Sequence, residues 1–332
     1  MADGVMFIDS FAPRAYDSLS DMEGLGGTES TIMHIALGLA PDLRVAIAQS
    51  QRETAETRDG VAFLPFPTDT TGFDTLIVIN SWKLAVKLRK ERPDARIAVW
   101  LHVFPGKHNR ELGNALHQAD VTVIPVSHSH GDWLRAFCPD QAPRIHPIYN
   151  PIPDDLAPDD TPRDPNLLLF ASAPHKGLDQ VIARFGKLLD RFPDLRLEIA
   201  DPGYMEWPVP HEVEQGLVWL GTLRQDELFR HYRRALCLFM PQTTFAETFG
   251  LVIAEANAVG CPALLQTGLG ANDEVACPGS ALIDVTDIDA IATALAGWRD
   301  KPPECGANPA FRLSAVLDAW RDWLQQPDAR RG

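Results

Sequence analysis

Short runs of β-branched and other apolar residues recur along the chain at 5–9, 45–49, 61–66, 75–80, 96–102, 121–127 and 144–150. Between several of them the apolar residues fall at helical spacing instead, which predicts strands alternating with helices around a largely parallel sheet. The pattern then breaks. Over 150–166, ten of the seventeen residues are Pro or Asp, a composition that neither continues a helix nor buries a face. A second series follows, with strands expected at 167–172, 195–201, 217–221, 236–241, 262–266 and 281–285, and helices at about 177–191, 225–235, 250–259 and 288–298. The chain therefore predicts an α/β fold in two domains, 1–150 and 167–308, joined by a linker at 151–166. An amphipathic run at 311–324 predicts a last helix within a terminal segment, 309–332.

Composition narrows the function classes. A chain of 332 residues, 45% hydrophobic and 23% charged, has ordinary globular composition and enough length for two cores. The net charge of -15 repels phosphate backbones, so nucleic acid is not expected as a partner. Cys138, Cys237, Cys261, Cys277 and Cys305 form no Cys-x-x-Cys pair and mostly lie in apolar surroundings, which predicts reduced core thiols. The first residues read as a strand, not as a basic region before an apolar run, and no apolar stretch reaches membrane-spanning length. A cytoplasmic protein is expected.

One stretch concentrates the chemistry. From Gly250 to Gly260 the residues are helix formers and nearly all apolar, and Gly260 followed by Cys261 and Pro262 is a stop signal. Glu247 stands just before this buried helix and Glu255 inside it, where an unpartnered charge costs several kcal/mol. Their separation is about 12 Å along the axis, too far to share a proton or a metal. Either each is paired with a core arginine, or the two hold opposite ends of an elongated polar ligand.

Phe245, Glu247, Phe249, Gly250, Leu251, Glu255, Ala256, Ala258, Gly260 and Pro262 fill every fixed position of a Glu-x7-Glu pattern. In this the chain resembles the retaining GT-B glycosyltransferases of group 1, strongly over 167–285 and more loosely before. The resemblance implies two Rossmann-like βαβ domains facing a central cleft, with the last helix crossing back onto the first domain. It implies that the helix start at Thr248, Phe249, Gly250 and Leu251 faces a donor diphosphate, that Glu247 lies beside the donor sugar, and that Glu255 takes the ribose hydroxyls.

Other motifs read two ways. Gly24 to Glu29 precedes a helix for which Thr28 is a candidate cap; it is a tight turn or an anion site. Glu29 occupies the place of a third glycine, which argues against a dinucleotide fingerprint. The resemblance matches Gly26 and Gly27 to a loop that covers the donor phosphates and acceptor. His102 ends a strand at the carboxyl edge, as a core histidine or, by resemblance, a group pointing at the donor sugar. In Ser127-His128-Ser129-His130 no third metal ligand is suitably spaced, and Ser129 suits a helix cap. Lys176 opens a helix, either exposed at the surface or paired with an anion there. By resemblance it holds the diphosphate, but the accompanying family arginine is replaced by Ala171. The glycine-rich 267–274 reads as a structural turn. Finally, 81–96 carries Lys83, Lys87, Arg89, Lys90, Arg92 and Arg96 in an otherwise acidic protein, as a solvated helix face or a contact for an anionic membrane.

Together these predict a hexosyltransferase-like enzyme of glycan biosynthesis. It moves a sugar from a UDP- or GDP-linked donor to an unknown sugar, small-molecule or lipid-linked acceptor hydroxyl, with retention and with neither metal nor cofactor. His102 and Glu247 are the expected catalytic pair. A sugar-nucleotide 2-epimerase of the same fold and a non-catalytic sugar-nucleotide binder are the alternatives, and a peripheral place at the inner membrane face is the alternative localisation.

Overall fold

The computed structural model describes residues 4–21, 25–203 and 215–326. The chain divides into two compact units, Met1–Pro151 with Leu313–Gly332, and Ile152–Arg312.

In the first unit the described strands are β1 (Gly4–Asp9), β2 (Arg44–Gln49), β3 (Glu56–Arg58), β4 (Val61–Pro65), β5 (Thr75–Ile79), β6 (Arg96–Leu101) and β7 (Thr122–Pro125), in the sheet order β3-β4-β2-β1-β5-β6-β7. All neighbours are parallel except β3 on β4. β1 and β5 are buried along their whole length, as near-continuous apolar strands are when both faces of a parallel sheet are covered. Helices α1 (Gly27–Leu39), α2 (Trp82–Glu91), α3 (Leu112–Gln118) and α4 (His128–Phe137) alternate with them. Two expectations fail. The run 144–150 is no strand but lies beside β7 through one bridge, Val123 to Ile145, and three main-chain hydrogen bonds, because Pro125 has no N–H to supply the rung between them. β3 was not expected, since Glu56–Arg58 is polar and exposed; it folds back through Asp59 and Gly60, both at positive φ.

In the second unit β8 (Asp164–Ala171), β9 (Arg196–Asp201), β10 (Leu217–Thr222), β11 (Ala235–Met240), β12 (Ala263–Gln266) and β13 (Ala281–Ile283) form a parallel sheet in the order β10-β9-β8-β11-β12-β13. Its helices are α5 (Leu178–Leu188), α6 (Gln225–Arg234), α7 (Leu251–Ala258), α8 (Asn272–Val275) and α9 (Ile288–Asp300). Most of the segment read as a linker is integral to this unit. Ile152 bridges to Arg312, Leu156 is buried, and β8 already begins at Asp164. Cys277 and Cys305, expected as free thiols, are joined as a disulfide, whereas Cys138, Cys237 and Cys261 are free and buried. The pairing partners lie 28 residues apart and meet only because the chain returns past Gly279, so no short motif announces them.

The last helix, α10 (Leu313–Gln325), belongs to the first unit. It closes on α1 where Gly38 leaves room for Leu317; a Cβ on Gly38 would lie 2.4 Å from Leu317 Cδ1. Arg96 donates to the Trp323 carbonyl at 2.6 Å and stacks 3.7 Å from its ring. Trp320 and Trp323 are fully buried. Each such ring removes roughly 150–250 Å² from water, or roughly 4–6 kcal/mol before side-chain entropy is set against it.

Candidate functional site

In an open α/β sheet the place for ligands is beyond the carboxyl ends of the strands where the strand order reverses. In the second unit that point lies between β8 and β11. The chain leaving β8 enters a 3-10 turn, Pro174–Lys176, and passes into α5 through Gly177, whose φ is +87°. A Cβ on Gly177 would lie 2.5 Å from Gln242 Cβ, so only glycine lets the two segments approach this closely. Gln242 in turn shapes the loop after β11. Its Oε1 accepts the N–H groups of Thr244 and Phe245, and its Nε2 donates to the Phe245 carbonyl.

That loop delivers Glu247 to Lys176. Lys176 Nζ donates to Glu247 Oε1 at 2.8 Å, and the same ammonium lies 4.7 Å from the centre of the Phe245 ring. Glu247 is buried and Lys176 half-buried, so the carboxylate's compensating partner is a lysine and not the core arginine considered from sequence. A third segment holds the pair. The Ala271 N–H donates to the Glu247 carbonyl, and Gly270, at φ +59°, packs so tightly that a Cβ would lie 2.4 Å from the same oxygen. The glycine-rich turn at 267–274 is thus the seat of Glu247, a role its spacing did not reveal.

Beyond Glu247 the chain reaches Gly250 at φ +91° and starts α7. The Phe249 side chain is buried edge-on to Phe311 at 5.0 Å, so only its main chain is available to a ligand. Glu255, inside α7, has its pKa pushed up to about 7 by burial, against a lowering hydrogen bond from the Gln225 side chain. Its charge helps burial raise the Tyr232 phenol on α6. The interior carboxyl is therefore met by the Gln225 amide, and part of the compensation is protonation itself. Ala171, where the family arginine was expected, is the buried last residue of β8.

In the first unit the order reverses between β1 and β5. Gly26 caps α1, and Thr28, expected as the cap, lies inside the first turn. Glu29 Oε2 accepts the Gly26 N–H at 2.9 Å, placing a carboxylate at the positive end of the helix. Burial, with the charge of Asp9 adding to it, raises the Glu29 pKa. Gly24 lies outside the described residues. Asp9, not singled out from sequence, is buried at the end of β1, accepts the Tyr16 hydroxyl at 2.9 Å and pins the loop before α1.

His102 follows β6 directly. Its N–H donates to Asn80 Oδ1 at 2.7 Å and its ring packs 4.7 Å from Trp100. Burial, followed by the neighbouring His130, pushes its pKa down to about 3, so the imidazole is neutral at ordinary pH. His130, fully buried, is held down at about 4 by burial as well. Ser127, not Ser129, caps α4, its Oγ accepting the His130 N–H. Among the described residues no three His, Cys, Asp or Glu side chains gather as a metal centre.

The basic run at 81–96 is less basic than it reads. Arg89 is spent on the carbonyls of Ala95 and Ala119, and Arg92 is buried against Thr70, Phe73 and Asp94. Arg96 is clamped on Trp323. Lys83, Lys87 and Lys90 are exposed, and Lys87 pairs with Glu91 at 3.7 Å. Among the described residues no helix is long and apolar enough to cross a membrane.

Residues 154–306, which carry the Lys176 and Glu247 pair, match the family model for glycosyl transferases group 1. Over that segment, a little under half of its length, the chain is similar to that family. Two curated relatives are mannosyltransferases by name. The GDP-mannose-dependent alpha-(1-6)-phosphatidylinositol monomannoside mannosyltransferase of Mycolicibacterium smegmatis is 28% identical over 64% of this chain and 60% of its own length. The GDP-mannose-dependent monoacylated alpha-(1-6)-phosphatidylinositol monomannoside mannosyltransferase of Corynebacterium glutamicum is 27% identical over 44% and 41%. The chain thus spans at most 60% of the length of either relative. Among solved structures, sucrose-phosphate synthase from Thermosynechococcus elongatus superposes with a TM-score of 0.71 at 15% identity, covering 97% of this chain and 94% of the other. A lipopolysaccharide outer core galactosyltransferase gives 0.63 at 16%, over 96% and 98%. At that identity the likeness speaks for the fold alone: two Rossmann-like units, the GT-B architecture.

Proposed function

We propose that this protein is a retaining glycosyltransferase that uses a nucleoside diphosphate sugar, GDP-mannose first among the candidates, and an acceptor hydroxyl. The observation that carries the reading is the Lys176 to Glu247 contact at the switch point of the second sheet. It sets a cation and a carboxylate at the mouth of α7, where the first turn of a helix presents N–H groups without intrahelical partners. In this reading Lys176 and the main chain of Thr248, Phe249, Gly250 and Leu251 take the charge that develops on the departing diphosphate, without a metal. Glu247, relieved of Lys176 as the diphosphate binds, stabilises the oxocarbenium-like sugar. Glu255 accepts the ribose hydroxyls. His102 remains a neutral imidazole that orients the donor sugar, Gly26 and Gly27 give a side-chain-free wall, and the leaving phosphate takes the acceptor proton.

The named relatives favour GDP-mannose as donor and a phosphatidylinositol-linked acceptor, with Lys83, Lys87 and Lys90 as the remaining basic contact for a lipid surface. The test is to incubate the purified protein with GDP-mannose or UDP-glucose, with and without phosphatidylinositol mannoside, in the presence of EDTA. Acceptor-dependent release of the nucleoside diphosphate, with an α-linked product by NMR, is expected. A sugar nucleotide inverted at C2 without acceptor assigns a 2-epimerase instead. Tight binding with neither transfer nor hydrolysis assigns a binding protein, and activity abolished by EDTA and restored by a divalent cation overturns the metal-free mechanism.

A further inference from the structure

The orientation of the buried His102 imidazole depends in part on the aromatic surface its ring packs against. That surface is Trp100, with ring centroids 4.7 Å apart at an interplanar angle of 49°. Trp100 also meets Trp320 of α10, edge-on at 4.7 Å, and Phe7 of β1 closes the triangle at 5.9 Å from Trp100 and 6.0 Å from Trp320. Phe7, Trp100 and Trp320 are all fully buried. Neither the Trp100 nor the Trp320 indole N–H meets a hydrogen-bond acceptor among the described residues, so ring packing rather than hydrogen bonding fixes both planes. Trp320 is itself backed by Trp323, at 6.0 Å, which Arg96 clamps from β6.

We propose that Trp320 is a positioning residue for the His102 imidazole, acting through Trp100. The proposal rests on the reading of His102 as the group that orients the donor sugar. A packed interior does not deform continuously; deleting a ring leaves a void into which neighbours tilt. With Phe7 against both indoles, the space opened by loss of Trp320 is the space Trp100 moves into, and His102 follows. A displacement of about 1 Å in a positioned group costs on the order of 100-fold in rate. The last helix of the chain thereby reaches the reaction without touching substrate.

The experiment compares Trp320→Leu, Trp320→Phe and Leu317→Ala with the wild-type full chain. Leu317 packs against Gly38 from the same helix without joining the rings, so its variant reports helix docking alone. Trp320→Leu should lower kcat for transfer from GDP-mannose by tenfold or more while donor Kd stays within twofold. The ¹⁵N resonances of the His102 imidazole should shift, and its pKa should rise towards that of an exposed histidine. Trp320→Phe, which keeps a ring, should recover most of kcat. Leu317→Ala should lower Tm and leave kcat and the His102 resonances in place. Unchanged His102 resonances in Trp320→Leu, or equal shifts in Leu317→Ala, overturn the proposal. If the leucine variant does not fold, the phenylalanine variant supplies the same resonances at smaller amplitude. Wild-type kcat in His102→Ala would instead sink the catalytic reading, while the resonances still decide the positioning.

Discussion

Lys176 Nζ and Glu247 Oε1 meet at 2.8 Å across 71 residues of sequence, in a setting where each is the other's charge partner. Removing one leaves the other uncompensated in partly desolvated surroundings, which costs more than removing both. Lys176→Met and Glu247→Gln should each lower stability by about 1–3 kcal/mol, and the double variant should regain part of that loss while remaining inactive. Denaturant unfolding of the four proteins gives the coupling energy. A double variant that loses the sum of the two single effects would show that the contact contributes nothing to folding.

Gly270 and Gly268 offer a matched comparison. Both have positive φ, at +59° and +70°, but a Cβ on Gly270 strikes the Glu247 carbonyl, whereas one on Gly268 meets nothing within 4 Å. Gly268→Ala should cost about 1–2 kcal/mol for the left-handed backbone alone and keep activity. Gly270→Ala should cost more and lower transfer at least tenfold, because the seat of Glu247 must shift. Equal activities would mean that Glu247 does not need this seat.

Glu255 gives a pH signature with a definite sign. Its folded pKa of about 7 lies above the ordinary glutamate value of 4.5, so the folded state holds the proton more tightly than the unfolded state. This contribution to stability is complete below pH 4.5 and is lost as pH rises through 7. Glu255→Gln should therefore gain on the wild type as pH rises from 5 to 8, measured as the difference in unfolding free energy. In the wild type, nucleotide affinity should rise over the same interval as the carboxylate forms to accept the ribose hydroxyls; an affinity flat with pH removes that role.

His102 acts in the opposite direction. Its pKa of about 3 lies below the ordinary histidine value of 6.5, so the neutral form that the fold favours supports stability above pH 6.5, and that support is lost as pH falls towards 3. His102→Gln should weaken the acid dependence of stability in this interval. It should also lower kcat with little effect on donor Kd, and a wild-type kcat would exclude a role in orienting the sugar.

With Arg89, Arg92 and Arg96 engaged within the fold, membrane contact at 81–96 falls to three lysines, at about 1 kcal/mol each near an anionic surface. Cosedimentation with phosphatidylserine vesicles should be weak, vanish by about 0.15 M salt, and be abolished when Lys83, Lys87 and Lys90 are changed to Glu. Binding that survives the triple change places the contact elsewhere.

The sequence by itself determined the two α/β halves, most strands and the helix after Gly250, because period-2 and period-3.6 patterns and glycine stops are local. It also singled out Glu247 and Glu255, since a charge in or beside an apolar helix is conspicuous without coordinates, whereas His102 and Lys176 stood out only through the family resemblance. β3 was too short and polar to be read. Only the tertiary structure decided the rest. The pairing of Lys176 with Glu247, the seat made by Gly270, the bond between Cys277 and Cys305 and the ring stack from Trp320 to His102 all join residues distant in the chain. Their contacts depend on strand order and loop return, which no local pattern encodes. The same holds for the three arginines of 81–96, whose charge looked available in the sequence and is bound by carbonyls, a carboxylate and an aromatic ring in the fold.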